Sequence, residues 1–122
     1  MQPQKFSWQK LPASFRCAFY GIGIFTRFER NALIHLAATV AVIIAAWYFH
    51  VSHSEAIALT IAVALVWISE MFNTCIERIM NFISQERNQE IRFIKDMSAG
   101  AVLIASIASA IIGLFIFIPK II

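Results

Sequence analysis

Eight side chains in this sequence have the types and spacing to do chemistry together. Glu70, Asn73, Thr74, Glu77 and Asn81 recur at the three- and four-residue intervals that place them on one side of a helix. Lys95-Asp96 follows after a short polar loop, and Glu29 stands just before the first long apolar run. Glu70 and Glu77 are two turns apart, about 10 Å along a helix axis. Two carboxylates on one face repel unless a cation or a shared proton sits between or near them. With a third carboxylate at a neighbouring helix end they suit a hard divalent cation, Mg²⁺ above all. Glu70 closes the apolar run and is the less solvated of the two, which makes it the better base. A metal on phosphates, a cation and a carboxylate that takes a hydroxyl proton are the parts of phosphoryl transfer to an alcohol. Salt bridges that merely orient helix ends, such as Glu77–Lys95, are the plainer alternative. Like charges sharing one face argue against it for the stripe as a whole.

The elements that must position these residues are membrane helices. Of 122 residues, 60% are hydrophobic and 14% charged, and the mean hydropathy is +0.74. A soluble domain of this size has too much surface to hide that much apolar side chain. The charges are also segregated. Between Asn31 and Ser69 the only one is Glu55, and between Met97 and Pro119 there is none. The pattern predicts one small polytopic domain, residues 1–122, with spanning helices over about 32–49, 55–83 and 91–118. Residues 1–28 form a cytoplasmic surface segment. Its first part, to Leu11, is polar with Phe6 and Trp8 and loosely ordered. Pro12 opens an amphipathic helix with Leu11, Phe15, Phe19 and Ile22 on one face and Lys10, Arg16, Tyr20 and Arg27 on the other. Gly21 and Gly23 are places for a bend or a close backbone approach.

Ser54 is the expected N-cap of the second span and Pro119 the end of the third. Trp47, Tyr48 and His50 form an aromatic belt at one interface. His35, one turn inside the first span, reads as a packing or hydrogen-bonded residue. Ala101, Ala105, Ser109 and Gly113 form a ladder of small residues that lets helices approach closely. Lys5, Lys10, Arg16, Arg27 and Arg30 precede the first span, and Arg78, Arg87, Arg92 and Lys95 surround the loop between the second and third. Only Lys120 lies on the other side, so the N-terminus and that loop are cytoplasmic by the positive-inside rule. The net charge of +3 thus reads as orientation and anionic headgroups, then nucleotide phosphates, and not nucleic acid. Cys17 and Cys75 are two small apolar side chains rather than a disulfide. No apolar run follows the first basic residues before Ala32, so a cleavable signal peptide is not expected.

Glu70-x-x-Asn73-Thr74-x-Ile76-Glu77, followed by Lys95-Asp96-Met97-Ser98-Ala99-Gly100-Ala101-Val102, resembles the signature of the prokaryotic diacylglycerol kinase family, which includes the undecaprenol kinases. The likeness extends upstream through Ser14-Phe15, Ala18-Phe19-Tyr20-Gly21 and Glu29-Arg30-Asn31 and covers nearly the whole chain. The resemblance implies an all-α integral membrane protein, three transmembrane helices plus an N-terminal amphipathic surface helix, assembled as a homotrimeric helical bundle with active sites shared between subunits. It implies an ATP- and Mg²⁺-dependent lipid kinase of the bacterial inner membrane, acting on a lipid alcohol. Position by position it makes Glu70 the base, and Glu29 and Glu77 the Mg²⁺-linked carboxylates. Asn73, Lys95 and Asp96 correspond to residues around the nucleotide phosphates, and Glu86, Arg87 and Asn88 lie where the loop approaches the nucleotide. Ser98 and Ala99 border the lipid headgroup. Asn81 stands where many members carry Asp, Ile94 where they carry Ala, and Cys17 where part of the family has an aromatic near the nucleotide. Glu29-Arg30-Asn31-x-x-x-His35 and the terminal Gly-Leu-Phe-Ile-Phe-Ile-Pro-Lys-Ile look more like the undecaprenol kinase branch.

No GxxxxGK[ST] loop and no GxGxxG occurs, so the nucleotide site is neither a P-loop nor a protein-kinase site. The rival reading from another class is a small proton- or cation-coupled transporter subunit with the carboxylates as relay. It needs a polar path to the outer face, and the outer halves of the spans offer only Thr39, Thr60 and Ser109.

Overall fold

Four helices carry the chain in a computed structural model that describes Pro3, Lys5 and residues 7–122. Met1, Gln2, Gln4 and Phe6 lie outside the described residues. A 3₁₀ turn, Trp8–Lys10, leads into α1 (Leu11–Phe28), with Pro12 in the first turn where its missing N–H costs nothing. Glu29 alone separates α1 from α2 (Arg30–Tyr48). Its backbone is extended (φ −98°, ψ 125°), and it closes one helix and opens the next. Its N–H reaches the Phe25 carbonyl at 3.1 Å, and its own carbonyl accepts from Ala32 at 3.2 Å. The carboxylate that the sequence places at a membrane rim is therefore also the corner between two helices.

α2 stops through a left-handed turn. His50 has φ 51°, and the Val51 N–H bonds the Ala46 carbonyl while the His50 N–H bonds that of Trp47. That pairing closes a Schellman motif with His where Gly usually stands. α3 (His53–Ile83) begins with a capping box on Ser52, not on Ser54. The Ser52 hydroxyl accepts from the Glu55 N–H at 3.2 Å, and the Glu55 carboxylate accepts from the Ser52 N–H at 2.9 Å. Ser54 lacks a glutamate three residues on, so only the earlier cap can be reciprocal. Asn88 caps α4 (Gln89–Ile121) by accepting from the Glu90 and Ile91 N–H groups. α4 does not end at Pro119. That proline lies in the last turn, where it forfeits one backbone bond, and Lys120 beyond it grips Glu55 at 3.1 Å.

α2, α3 and α4 are long and apolar enough to cross a membrane, with mean hydropathies of 1.7, 1.8 and 2.8 over their best windows. At 1.5 Å per residue they measure about 28, 46 and 50 Å, so α3 and α4 outrun a hydrocarbon core of about 30 Å. Their surplus length forms the polar end of the bundle. The apolar core within one chain is thin: Phe25, Ala32, Leu59, Ala62 and Ile116 are buried, while most large apolar side chains remain exposed. α3 and α4 make the most extensive helix pair. The Ser109 hydroxyl donates to the Ala62 carbonyl across it at 2.8 Å, so part of the small-residue ladder serves contact within the chain. α1 docks through Phe25, whose ring meets Trp67 edge-on at 5.9 Å, and leaves Phe15, Phe19 and Ile22 exposed. The helix runs unbroken through Gly21 and Gly23, and a Cβ at either would meet no atom within 4 Å. Neither glycine serves the bend or close approach that its type suggested.

The position of the α3 cap is directly testable. Ser52→Ala should destabilise the protein by about 1 kcal/mol in detergent unfolding and Ser54→Ala by less than about half of that. Equal effects would place the cap elsewhere.

Candidate functional site

The site is built where α3 passes between the start of α2 and the start of α4. At 100° per residue Asn73 lies about 60° round the helix from Glu70, enough to face a different neighbour. Glu70 faces α2. It is 4% exposed, and its two oxygens meet two side chains one turn apart on that helix: Asn31 Nδ2 donates to Oε1 at 3.0 Å, and His35 Nε2 stands 3.4 Å from Oε2. Asn73, also buried, faces α4. Its Oδ1 accepts from the Ser98 hydroxyl, and its Nδ2 makes a long bond of 3.5 Å to Glu77 Oε1. Two turns of α3 thus use one polar side to join two helices.

Toward the polar end the side chains become solvated. Glu77 is exposed and Glu29 half-buried. Arg78 Nη2 donates to Glu29 Oε1 at 2.9 Å, tying the α1–α2 corner to α3. Lys95 Nζ donates to Asn81 Oδ1 and does not pair with Glu77. Arg92 and Asp96 face each other at 3.9 Å on the outside of α4. The structure therefore joins Asn73, Glu77 and Ser98 in one set of contacts and Glu70, Asn31 and His35 in another, on two flanks of the same stretch of α3. It sets Lys95 one step aside on Asn81 and leaves Asp96 and Ala99 exposed. Of the loop residues, Asn88 spends its side chain on the α4 cap, and the Glu86 N–H bonds the Ser84 hydroxyl at 3.1 Å. Arg87 is exposed.

Two spaces border this stretch. A groove of about 580 Å³ between α1 and α3 is lined by Ala18, Gly21, Phe25, Glu29, Thr74 and Arg78, with the free thiols Cys17 and Cys75 also on its wall. A mainly apolar cavity of about 280 Å³ lies among α2, α3 and α4 and reaches from His35 past Trp67 toward Phe117. Beyond His35 the polar side chains turn to backbone or to one another. Thr39 bonds the His35 carbonyl and accepts from Trp67 Nε1, Thr60 bonds the Ala56 carbonyl, and Ser109 the Ala62 carbonyl.

Among the described residues no group of three or more His, Cys, Asp and Glu side chains is assembled as a ready metal cage. Glu77 and Glu29 nonetheless fit Mg²⁺. That ion binds through one or two carboxylates and completes its shell with water and substrate phosphates. Both residues offer hard oxygen donors at the solvated end, although Glu29 must share its oxygen with Arg78.

The family model for prokaryotic diacylglycerol kinase matches residues 16–117. The chain belongs to the prokaryotic diacylglycerol kinase family. The diacylglycerol kinase of Synechocystis sp. is 35% identical over 120 residues, covering 95% of this chain and 69% of the relative. The undecaprenol kinase of Bacillus subtilis is 36% identical over 107 residues, covering 88% and 87%. The chain is accordingly a lipid kinase and an integral membrane protein with three apolar helices of spanning length.

Asn31 is the site residue that sequence reasoning did not single out for chemistry. It entered only as part of the Glu29-Arg30-Asn31 match, yet it is the shortest contact to Glu70. Its spacing to His35, four residues on one face, was the available signal.

The Asn73–Ser98 contact yields a stability prediction for this lipid kinase. Asn73→Ala should cost about 1–3 kcal/mol because it leaves the buried Ser98 hydroxyl only its long 3.4 Å contact to the Lys95 carbonyl, and Ser98→Ala somewhat less. The double variant should cost little more than Asn73→Ala alone, since the two share one bond. Additive losses in a detergent-unfolding cycle would dissolve the pairing.

Proposed function

We propose that the chain transfers the γ-phosphoryl group of ATP, with Mg²⁺, to the hydroxyl of a membrane lipid alcohol, with undecaprenol ahead of diacylglycerol. The products are the lipid phosphate and ADP. The observation that carries this is a nearly dry carboxylate, Glu70, met by Asn31 on one oxygen and faced by His35 on the other, on the same helix as the solvated Glu77 two turns on. Phosphoryl transfer asks little covalent chemistry of a protein and depends on positioning and charge. Glu70 accepts the proton of the lipid hydroxyl. Asn31 and His35 hold its carboxylate in one orientation, and burial keeps water from competing for the phosphoryl group. Asn73, less than one turn from the base, joins Glu77 to Ser98 and so fixes α4, and the lipid headgroup meets Ser98 and Ala99 beside the base. Glu29 and Glu77 would hold Mg²⁺, which when bound neutralises charge on the transferring phosphates. Lys95 and Asp96, with Glu86, Arg87 and Asn88 on the loop, surround the nucleotide at the solvated end.

The whole of residues 1–122 is one kinase domain in this reading. It sits in the bacterial inner membrane with its N-terminus and the α3–α4 loop in the cytoplasm, which nine of the ten basic side chains favour. Homotrimer formation would cover the apolar faces that one chain leaves bare and complete each site with a neighbour's residues. Preference for undecaprenol rests on Glu29-Arg30-Asn31-x-x-x-His35 and is supported by the greater share of the undecaprenol kinase that the chain matches. A transporter reading loses ground because Thr39, Thr60 and Ser109 are satisfied by nearby groups and line no continuous polar path.

Radiolabelled phosphate transfer from ATP to the two lipids, side by side in mixed micelles, tests this directly. Glu70→Gln should lower turnover by about 10²–10⁴-fold, the range for loss of a general base, with helicity unchanged. Unimpaired turnover would remove Glu70 from its role, and proton-coupled flux in liposomes without ATP would revive the transporter.

A further inference from the structure

We propose that His35 is a positioning residue of the phosphoryl-transfer site, acting through Glu70. This rests on the reading of Glu70 as the base. A buried carboxylate exposes two oxygens that need donors, and an unmatched lone pair there lets the group swing or recruit water. Among the described residues two side chains meet them, both from the first turns of α2, one as a hydrogen-bond donor and one as a potential ion-pair partner. Asn31 takes Oε1 at 3.0 Å, and His35 Nε2 stands 3.4 Å from Oε2. The guanidinium and ammonium groups nearby are engaged elsewhere: Arg78 with Glu29, Lys95 with Asn81, Arg92 with Asp96. From α3 itself the next charged residue along the polar side is Glu77, two turns on, and its printed partner is Asn73. α4 contributes Ser98 through the same side chain, and α1 contributes the apolar Phe25 by way of Trp67. Among the described residues His35 is therefore the one side chain paired with Glu70 that can carry a positive charge.

The imidazole is itself held in place. Its ring lies 6.5 Å from that of Trp67, and the indole Nε1 donates to Thr39 Oγ1 at 2.8 Å. Thr39 in turn donates to the His35 carbonyl at 2.7 Å. A packing histidine would need none of this aim at a carboxylate. Removing the donor while keeping the bulk should leave Glu70 in place but free to rotate away from the acceptor hydroxyl.

The test uses the full chain in mixed micelles with Mg-ATP and undecaprenol, and compares His35→Leu with His35→Gln. His35→Leu should lower kcat by about tenfold or more while KM for ATP stays within about twofold, because the nucleotide is held at the solvated end. His35→Gln, which restores an N–H donor without the charge, should recover most of that loss. Wild-type kcat in His35→Leu would overturn the proposal. So would a loss in both variants that tracks a fall in thermal stability, since that is the signature of packing alone. Glu70→Gln, measured alongside, separates the two readings. If it stays active the base assignment fails; if it is dead while His35→Leu is unimpaired, only the role of His35 falls.

Discussion

A carboxylate that is 4% exposed inside an apolar helical bundle is the constraint on which the rest of this structure depends. Ionised groups in such surroundings cost several kcal/mol unless donors replace the water they lose. Glu70 therefore dictates what stands opposite it. Asn31 and His35 are one helical turn apart on α2, and both reach its oxygens only if α2 and α3 keep their present register. A one-residue slip of α2 would turn both side chains by about 100° and strand the carboxylate. Chemistry and packing are thus fixed by the same contacts.

The constraint spreads through Asn73 and Trp67. Asn73 turns the opposite flank of the stripe toward Ser98 and so sets α4, which the Ser109 hydroxyl holds further along at the Ala62 carbonyl. Trp67, just under one turn before Glu70, reaches Phe25 on α1, the His35 ring and the Thr39 hydroxyl on α2. One indole ties α1 to the turn of α2 that meets Glu70. Because the chain buries so little apolar side chain by itself, these few polar contacts specify an arrangement that general apolar packing would leave open.

The helices were legible because their signal is strong: long charge-free runs, with polar residues confined to one end, admit few folds. The family motif made Glu70, Asn73, Glu77, Lys95 and Asp96 visible as a group. What stayed hidden was partner choice. Periodicity puts Glu70 and Asn73 on one side of α3, but a separation of about 60° sends them to different helices, and no pattern within α3 says which. Lys95 shows the same gap: its charge suggests Glu77, whereas its place on α4 brings it to Asn81. Ends were misread for local reasons. Ser52 outranks Ser54 because only it has Glu55 at the capping-box spacing, and Pro119 costs a single bond so near the helix end.

The short distance between α1 and α2 explains how one site can serve two phases. Glu29 is the only residue between those helices, and Asn31 and His35 follow it within the next two turns. A single helix start thereby carries the carboxylate that pairs with Arg78 in the solvated layer and the two side chains that meet Glu70 in the dry one. From Glu29 to His35 is six residues, about 9 Å of helix rise, close to the rise between Glu77 and Glu70 on α3. On each helix a solvated carboxylate and a buried contact are thus set apart by a similar rise. In the proposed reaction, charge on a nucleotide would be met at the solvated end while a hydroxyl drawn from the lipid would be met at the buried one. Neither substrate then has to cross into the other's solvent for the two to react.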